Sequence, residues 1–248
     1  MKRYLFQISF DGTQYHGWQI QNNAITIQEV IQKCLLTLNE GLSNINIVGC
    51  GRTDAGVHAE EFFFHVDLPK INNLSIFKFQ LNQMLPFDIA INNCWMVGED
   101  FHARFGAISR TYQYRIIQSK DPFLQSMNTF ISHDLDVDVM NCCAEKLTDF
   151  KDFTSFSKVH TDVNNFNCEI YGSSWLKKDK QLIFTIKANR FLRNMVRAIV
   201  GTMLIAGKKK IDLNRFCEII NEKNRSSAGP SVSAKGLFLT NVEYPSYE

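Results

Sequence analysis

Stretches with strand periodicity and stretches with helix periodicity alternate along this chain, and their order restricts the fold more than any single motif does. Residues 3–10, Arg-Tyr-Leu-Phe-Gln-Ile-Ser-Phe, read as a strand that the turn chemistry of Asp11-Gly12-Thr13 ends. Thr26 and Glu29 stand at capping-box spacing. Behind them apolar residues fall at Ile27, Val30, Ile31, Cys34, Leu35 and Leu38, one face of a helix that Gly41 closes. Residues 45–48 and 62–66 read as strands, the second apolar nearly throughout and therefore central. Residues 75–85 read as a helix stopped by Pro86, and 89–97 as a further strand. The first half is thus β-α-β-β-α-β, the ferredoxin-like order.

The second half reads the same way. A strand covers 111–118, and Asp136 caps a helix running through Leu147. Residues 167–176 and 181–187 form a hairpin around Lys-Lys-Asp-Lys. Asn189 caps a long helix over 190–206, with Gly207 just past its end; Asp212 caps a short extra helix, and 237–244 is the last strand. The expected architecture is α+β. Two ferredoxin-like units, residues 1–102 and 103–248, join near 98–106 and set antiparallel sheets side by side along a groove. The halves share no obvious sequence identity, so the repeat is one of architecture.

Bulk composition selects among broad classes only. Of 248 residues, 45% are hydrophobic and 21% charged, which suits a soluble domain pair that needs no disulfide or metal to hold its core. The net charge of +2 discriminates no partner, but its distribution is uneven. Lys187, Arg190, Arg193, Arg197, Lys208, Lys209, Lys210 and Arg215 stand against the single acid Asp212. That excess is either the footprint of a polyanion or a solvated face. Seven cysteines include no C-x-x-C pair. The chain runs from Met-Lys-Arg-Tyr directly into a strand pattern, so no signal peptide is expected. No run of about 18 apolar residues occurs. A reducing, cytoplasmic location is the expectation.

Cys50-Gly-Arg-Thr-Asp-Ala-Gly-Val-His58 is the stretch with chemistry in it. It connects two strands, and two glycines flank a carboxylate and a guanidinium. A nearby arginine keeps a carboxylate ionised and nucleophilic at neutral pH. Taken alone, the same letters also fit a polar hairpin loop with an Asx-turn at Asp54. Likewise Tyr112, in an alternating strand, fits a core position. Trp18, beside Tyr15 and His16, fits either an exposed cluster or a packing anchor. Arg190, Arg193 and Arg197 at i, i+3 and i+7 share one face of the expected helix. His58-Ala59-Glu60 matches half of a zinc-deaminase signature, whose P-C-x-x-C half is absent.

Six ordered stretches stand beside the Asp54 loop: Phe10-Asp-Gly-Thr-Gln-Tyr-His-Gly-Trp-Gln19, Phe101-His-Ala-Arg-Phe105, Arg110-Thr-Tyr-Gln-Tyr114, Asp152-Phe-Thr-Ser-Phe156, Asn189-Arg-Phe-Leu-Arg-Asn-Met-Val-Arg197 and Lys235-Gly-Leu-Phe-Leu239. Together with that loop they resemble the tRNA pseudouridine synthase A family. The resemblance implies Asp54 as nucleophile, Tyr112 as the residue stacking on the target base, and Arg52 as the side chain that helps displace the flipped base. It implies Arg197 as partner of the catalytic carboxylate and Leu237 as a pocket wall. Arg104, Arg110, Arg190 and Arg193 become candidate phosphate contacts, and the groove becomes an RNA-binding cleft. The implied substrate is the 3′ side of the tRNA anticodon stem-loop, bound by a homodimer. The implied reaction breaks N1–C1′ and joins C5 to C1′, so it is redox-neutral and calls for no cofactor and no metal. Whether Asp54 adds to C1′ or removes a sugar proton stays open at this stage. The alternatives are a non-catalytic RNA-binding protein and, more remotely, a zinc-dependent nucleobase deaminase. Thr111 stands where the family often has arginine, Glu60-Glu61 where it often has small or amide residues, and Cys168-Glu169 where it often has a basic one.

Overall fold

The alternation in the first ten residues becomes one strand with one buried face. In β1 (Lys2–Phe10) the side chains of Tyr4, Phe6, Ile8 and Phe10 are buried. The structure, a computed structural model, describes residues 1–39, 41–159 and 164–245. Among them are nine strands, five α-helices and three short 3-10 helices, a mixed α+β fold. Two compact units divide the chain. One is Met1–Ile108 together with the chain from Leu239 on; the other is Ser109–Phe238. The sequence reading divides it at 102/103 instead and keeps the last strand with the second half.

In the first unit, β3 (His58–Leu68) and β4 (Ile89–Val97) pair antiparallel on either side of β1, and β2 (Ile47–Gly49) pairs antiparallel with β3. β9 (Leu237–Glu243) is the other neighbour of β3. Phe6 lies opposite Phe64, their rings stacked with centroids 4.9 Å apart. Each fully buried aromatic of this face contributes about 1.5–3 kcal/mol. Helix α1 (Ile27–Leu38) buries Ile27, Ile31, Cys34 and Leu35, a helical stripe. The Thr26 hydroxyl accepts from Glu29 N at 3.4 Å, as the capping spacing predicts. Helix α2 (Leu74–Met84) starts at Asn73, whose Oδ1 accepts from Ile76 N at 3.0 Å.

On the other face of this sheet runs a polar ladder. Asn93 Nδ2 donates to Gln7 Oε1 at 2.7 Å, and Gln7 Nε2 donates to Glu61 Oε2 at 2.7 Å. Asn241 Nδ2 and Val242 N both donate to Glu61 Oε1, at 3.1 and 2.9 Å. Glu61 is therefore a sheet-bracing carboxylate.

The second unit is ordered β5 (Ser109–Ile117), β8 (Gln181–Ala188), β7 (Ile170–Lys178), all antiparallel, with β6 (Thr129–Phe130) parallel to β5. The β7–β8 hairpin turns at Asp179, in the left-handed region at φ 52°. Helices α3 (Val137–Lys146) and α5 (Leu213–Asn221) begin at Asp136 and Asp212, each carboxylate accepting a main-chain N–H three residues on. Helix α4 (Met195–Gly207) is buried nearly all round, and a Cβ on its Gly201 would collide with the Pro230 carbonyl.

One expected element is shorter than its periodicity implies. The helix read over 190–206 starts only at Met195, and Gly207 is its last residue. The cause is local. Asn189, the expected cap, spends its Oδ1 on Glu169 N at 3.0 Å and its own N–H on Glu169 O at 3.1 Å. Residues 190–194 then run outside the helix until Asn194 turns the chain at φ 67°. Arg190, Arg193 and Arg197 consequently do not share a helix face.

Candidate active site

Two stretches forty residues apart in sequence build one object in the first unit. The loop 50–58 lies on the turn that follows β1, and the contacts are main chain to main chain. Trp18 N donates to Thr53 O at 3.3 Å, and Gly56 N donates to Tyr15 O at 3.1 Å. A Cβ at Gly12 would collide with the Val57 carbonyl. Gly17 has φ +86°, and a Cβ there would collide with Thr53 O and lie 3.1 Å from the Asp54 carbonyl carbon. These two glycines let one backbone lie flat on the other.

The Asp54 carbonyl accepts from Val57 N at 3.2 Å, and Gly56 sits between them at φ +75°. That is a β-turn with its positive-φ residue at the third position, which glycine fills without strain. At the far end His58 is buried, its Nδ1 2.9 Å from Asp11 Oδ1 and 3.2 Å from Gly12 N. Burial works against ionising Asp11. The Thr13 hydroxyl and N–H, with His58, outweigh it and hold the carboxyl below its usual range. Tyr15 and Trp18 are buried, which settles them as anchors. The Tyr15 hydroxyl donates to Asp88 Oδ1 at 2.6 Å, and the Trp18 ring packs 4.3 Å from Phe62. Gly49 makes room for that indole, since a Cβ would come within 2.6 Å of Nε1.

Within the loop, Asp54 is half-buried and Arg52 exposed. Among the described residues Arg52 has no hydrogen-bond or ion-pair partner, so its guanidinium does not engage Asp54. The Thr53 side chain is buried, and its hydroxyl has no hydrogen-bond partner among the described residues. His58, Glu61 and His65 do not meet at one point. His58 goes to Asp11, Glu61 to the polar ladder, and His65 Nδ1 accepts from Ala103 N at 3.1 Å. Among the described residues no three His, Cys, Asp or Glu side chains are grouped to hold a metal. None of the seven cysteines is in a disulfide.

In the second unit the two tyrosines of β5 part company. Tyr114 is fully buried, its hydroxyl bonded to Thr129 Oγ1 at 2.7 Å and Ser233 O at 3.0 Å. Tyr112, paired with Ile186, is only half-buried and meets the Phe191 ring edge-on at 5.1 Å. The core role that the strand pattern allowed for Tyr112 belongs to Tyr114. Arg197 Nε donates to Val232 O at 2.7 Å while Val232 N donates back to Arg197 O, so the guanidinium has a fixed heading. Arg197 also lies close enough to Tyr114 to favour its phenolate, although burial dominates and pushes that hydroxyl up to about 12. Leu237 is buried at the start of β9. Arg110 Nη1 is spent on Asn189 O at 2.9 Å. Arg190 is half-buried beside Cys168, a thiol that burial pushes up to about 11. Arg193 and Arg104 are exposed. Sequence reasoning missed the clamp between Asp11–Trp18 and the Asp54 loop. The paired glycines at 12 and 17 were its signal.

Fold and loop define a mixed α+β protein that presents one carboxylate on a pinned, glycine-bounded turn. A family model described as tRNA pseudouridine synthase matches residues 144–245. The chain is 46% identical over 248 residues to the tRNA pseudouridine synthase A of Bacteroides fragilis, covering 99% of this chain and 97% of that protein. It is 44% identical over 246 residues to the protein of the same name from Parabacteroides distasonis, with 99% and 97% covered. Against that of Streptococcus mutans it is 37% identical over 248 residues, with 98% and 99% covered. The chain belongs to the tRNA pseudouridine synthase family. Among the described residues no helix is long and apolar enough to cross a membrane.

Proposed function

We propose that this protein isomerises uridine to pseudouridine on the 3′ side of the tRNA anticodon stem-loop, with Asp54 as the carboxylate that acts at the ribose. The observation that carries the reading is the Asp54 loop, held by main-chain bonds from Tyr15 and Trp18. Rigid support of that kind costs no ordering when the substrate arrives. The reaction breaks N1–C1′, turns the detached uracil and forms C5–C1′; N1 takes up the proton that C5 gives up, so nothing is oxidised or reduced. A base in a stem must first be extruded. Arg52, exposed and without a partner among the described residues, suits the task of filling the space the base leaves. Tyr112 stacks on the uracil and retains it. Arg197 pairs with the catalytic carboxylate, its Nε fixed by Val232. Leu237 lines the pocket, while Arg104, Arg110, Arg190 and Arg193 meet phosphates.

Each unit is a ferredoxin-like variant. In the first unit the order β4-β1-β3, with β2 on the far side of β3 and every neighbour antiparallel, supports it. The protein works as a homodimer in a reducing, cytoplasmic compartment. Exposed Ile76 and Phe79 on α2 and Phe87 just beyond it offer apolar surface for a second copy, and seven cysteines outside disulfides suit the compartment.

The test is to incubate purified protein with an unmodified tRNA transcript, with no cofactor added, and map pseudouridines. Conversion of uridines in the anticodon arm is the expected result. An unmodified transcript beside an active control enzyme would overturn the reading, including its exclusion of a purely binding role.

A further inference from the structure

The segment that leaves β4 carries an arrangement that neither the fold nor the Asp54 loop uses. His102 O accepts from Gly106 N at 2.8 Å, closing a turn. Inside it, His102 Nδ1 accepts from both Arg104 N and Phe105 N, each at 3.2 Å. The imidazole is thereby fixed, with its proton on Nε2. His65 is fixed in the same manner by Ala103 N, and its ring lies 5.0 Å from that of His102. The Phe105 ring lies 4.4 Å from His102 at an interplanar angle of 34°. Three rings thus run outward from the core: His65 buried, His102 half-buried, Phe105 77% exposed. Beside the outermost ring stands the Arg104 guanidinium, 5.5 Å from its centroid.

We propose that His102, Phe105 and Arg104 form a stacking site for an unpaired nucleobase of the tRNA other than the target uridine. A phenyl ring left 77% exposed buries little apolar area for the fold, and the imidazole that packs on it is held in place by the main chain. A nucleobase adds to the column as a further layer, and Arg104 meets the phosphate that comes with it. Aromatic stacking on a splayed base, flanked by a cation, is how single-stranded RNA is held without reading its sequence. The site rests on the proposed function, since it presumes a tRNA substrate.

The experiment measures binding of an unmodified tRNA transcript to the full chain and to the variants Phe105→Ala, Phe105→Leu and Phe105→Trp. Loss of one base–aromatic stack weakens binding roughly 5- to 150-fold. Phe105→Ala and Phe105→Leu are both expected to lose affinity to that extent. Phe105→Trp is expected to keep it, with tryptophan fluorescence that quenches on tRNA addition. Transcripts with one abasic loop nucleotide locate the base. At the right position the lesion weakens the wild type but not Phe105→Ala, the signature of a coupled pair. Equal affinity of wild type and Phe105→Ala, or rescue by leucine as good as by tryptophan, would overturn the stacking site while leaving the isomerase reading intact. A wild-type protein that neither binds nor modifies tRNA would overturn both.

Discussion

Asp54 combines a pinned backbone with a side chain that its own loop leaves half-buried, so its chemistry can be removed without moving it. Asp54→Asn is expected to abolish turnover while tRNA affinity stays within about tenfold, roughly 1.4 kcal/mol, as read by single-turnover assay beside a binding isotherm. A collapse of affinity would make Asp54 structural. Arg52 offers a companion prediction. Since it does not pair with Asp54, Arg52→Ala lowers the single-turnover rate without shifting its pH profile; a moved profile would restore the charge-partner role. His65 makes the fold sensitive to acid. Burial first, then the neighbouring Arg3 and His102, press its imidazole down to about 4. Its unfolded value is higher, near 6.5, so the unfolded chain binds the proton first. The stabilisation is complete above about pH 6.5 and is lost as pH falls toward 4, by up to about 3 kcal/mol. Thermal melts between pH 8 and 4.5 should show that loss, and His65→Gln should flatten it.

At the scale of elements, the clamp between the turn after β1 and the Asp54 loop is the part most exposed to a small change. Gly17→Ala puts a methyl into the Thr53 carbonyl at a φ of +86°, which costs on the order of 1–3 kcal/mol of strain. The expected outcome is a fall in turnover larger than the fall in tRNA affinity, because the loop shifts while the protein still folds. In the second unit Thr202→Val leaves the buried Gly229 N–H without its 2.9 Å acceptor and should lower stability by about 1–3 kcal/mol in denaturant titration. Most elements were legible in the sequence because their signals are local: alternation in β1, the stripe in α1, side-chain caps at Thr26, Asp136 and Asp212. The start of α4 was not. Its decision lies with Glu169, twenty residues before Asn189, whose backbone claims that amide. The same holds in the loop. Its letters announced Asp54 and Arg52, but the main-chain bonds that hold the loop come from Trp18 and Tyr15 on the turn after β1, and no spacing rule encodes them.

At the scale of the whole chain, the unit boundaries follow from β9 rather than from any linker. Polar and apolar composition does not change near 108 or 238, so nothing in the sequence marks the return of Leu239 to the first unit. Oligomeric state is also decided at this level. Sedimentation is expected to give twice the single-chain mass, and Phe79→Asp, placing a charge in the exposed apolar surface of α2, is expected to give monomers; a wild-type monomer would remove the dimer from the reading.

The closing strand also sets a timetable. A ribosome releases the chain from its N-terminus, so β1 and the Asp54 loop emerge early. Yet Glu61 waits for Asn241 and Val242, and the Ile108 N–H waits for the Glu243 carbonyl, all of them made after the second unit. The second unit, made between them, has all its residues in hand by Phe238. The unit begun first is therefore completed only after the one that interrupts it, and a nascent chain stalled before Asn241 carries a carboxylate in its sheet with two of its donors still unborn.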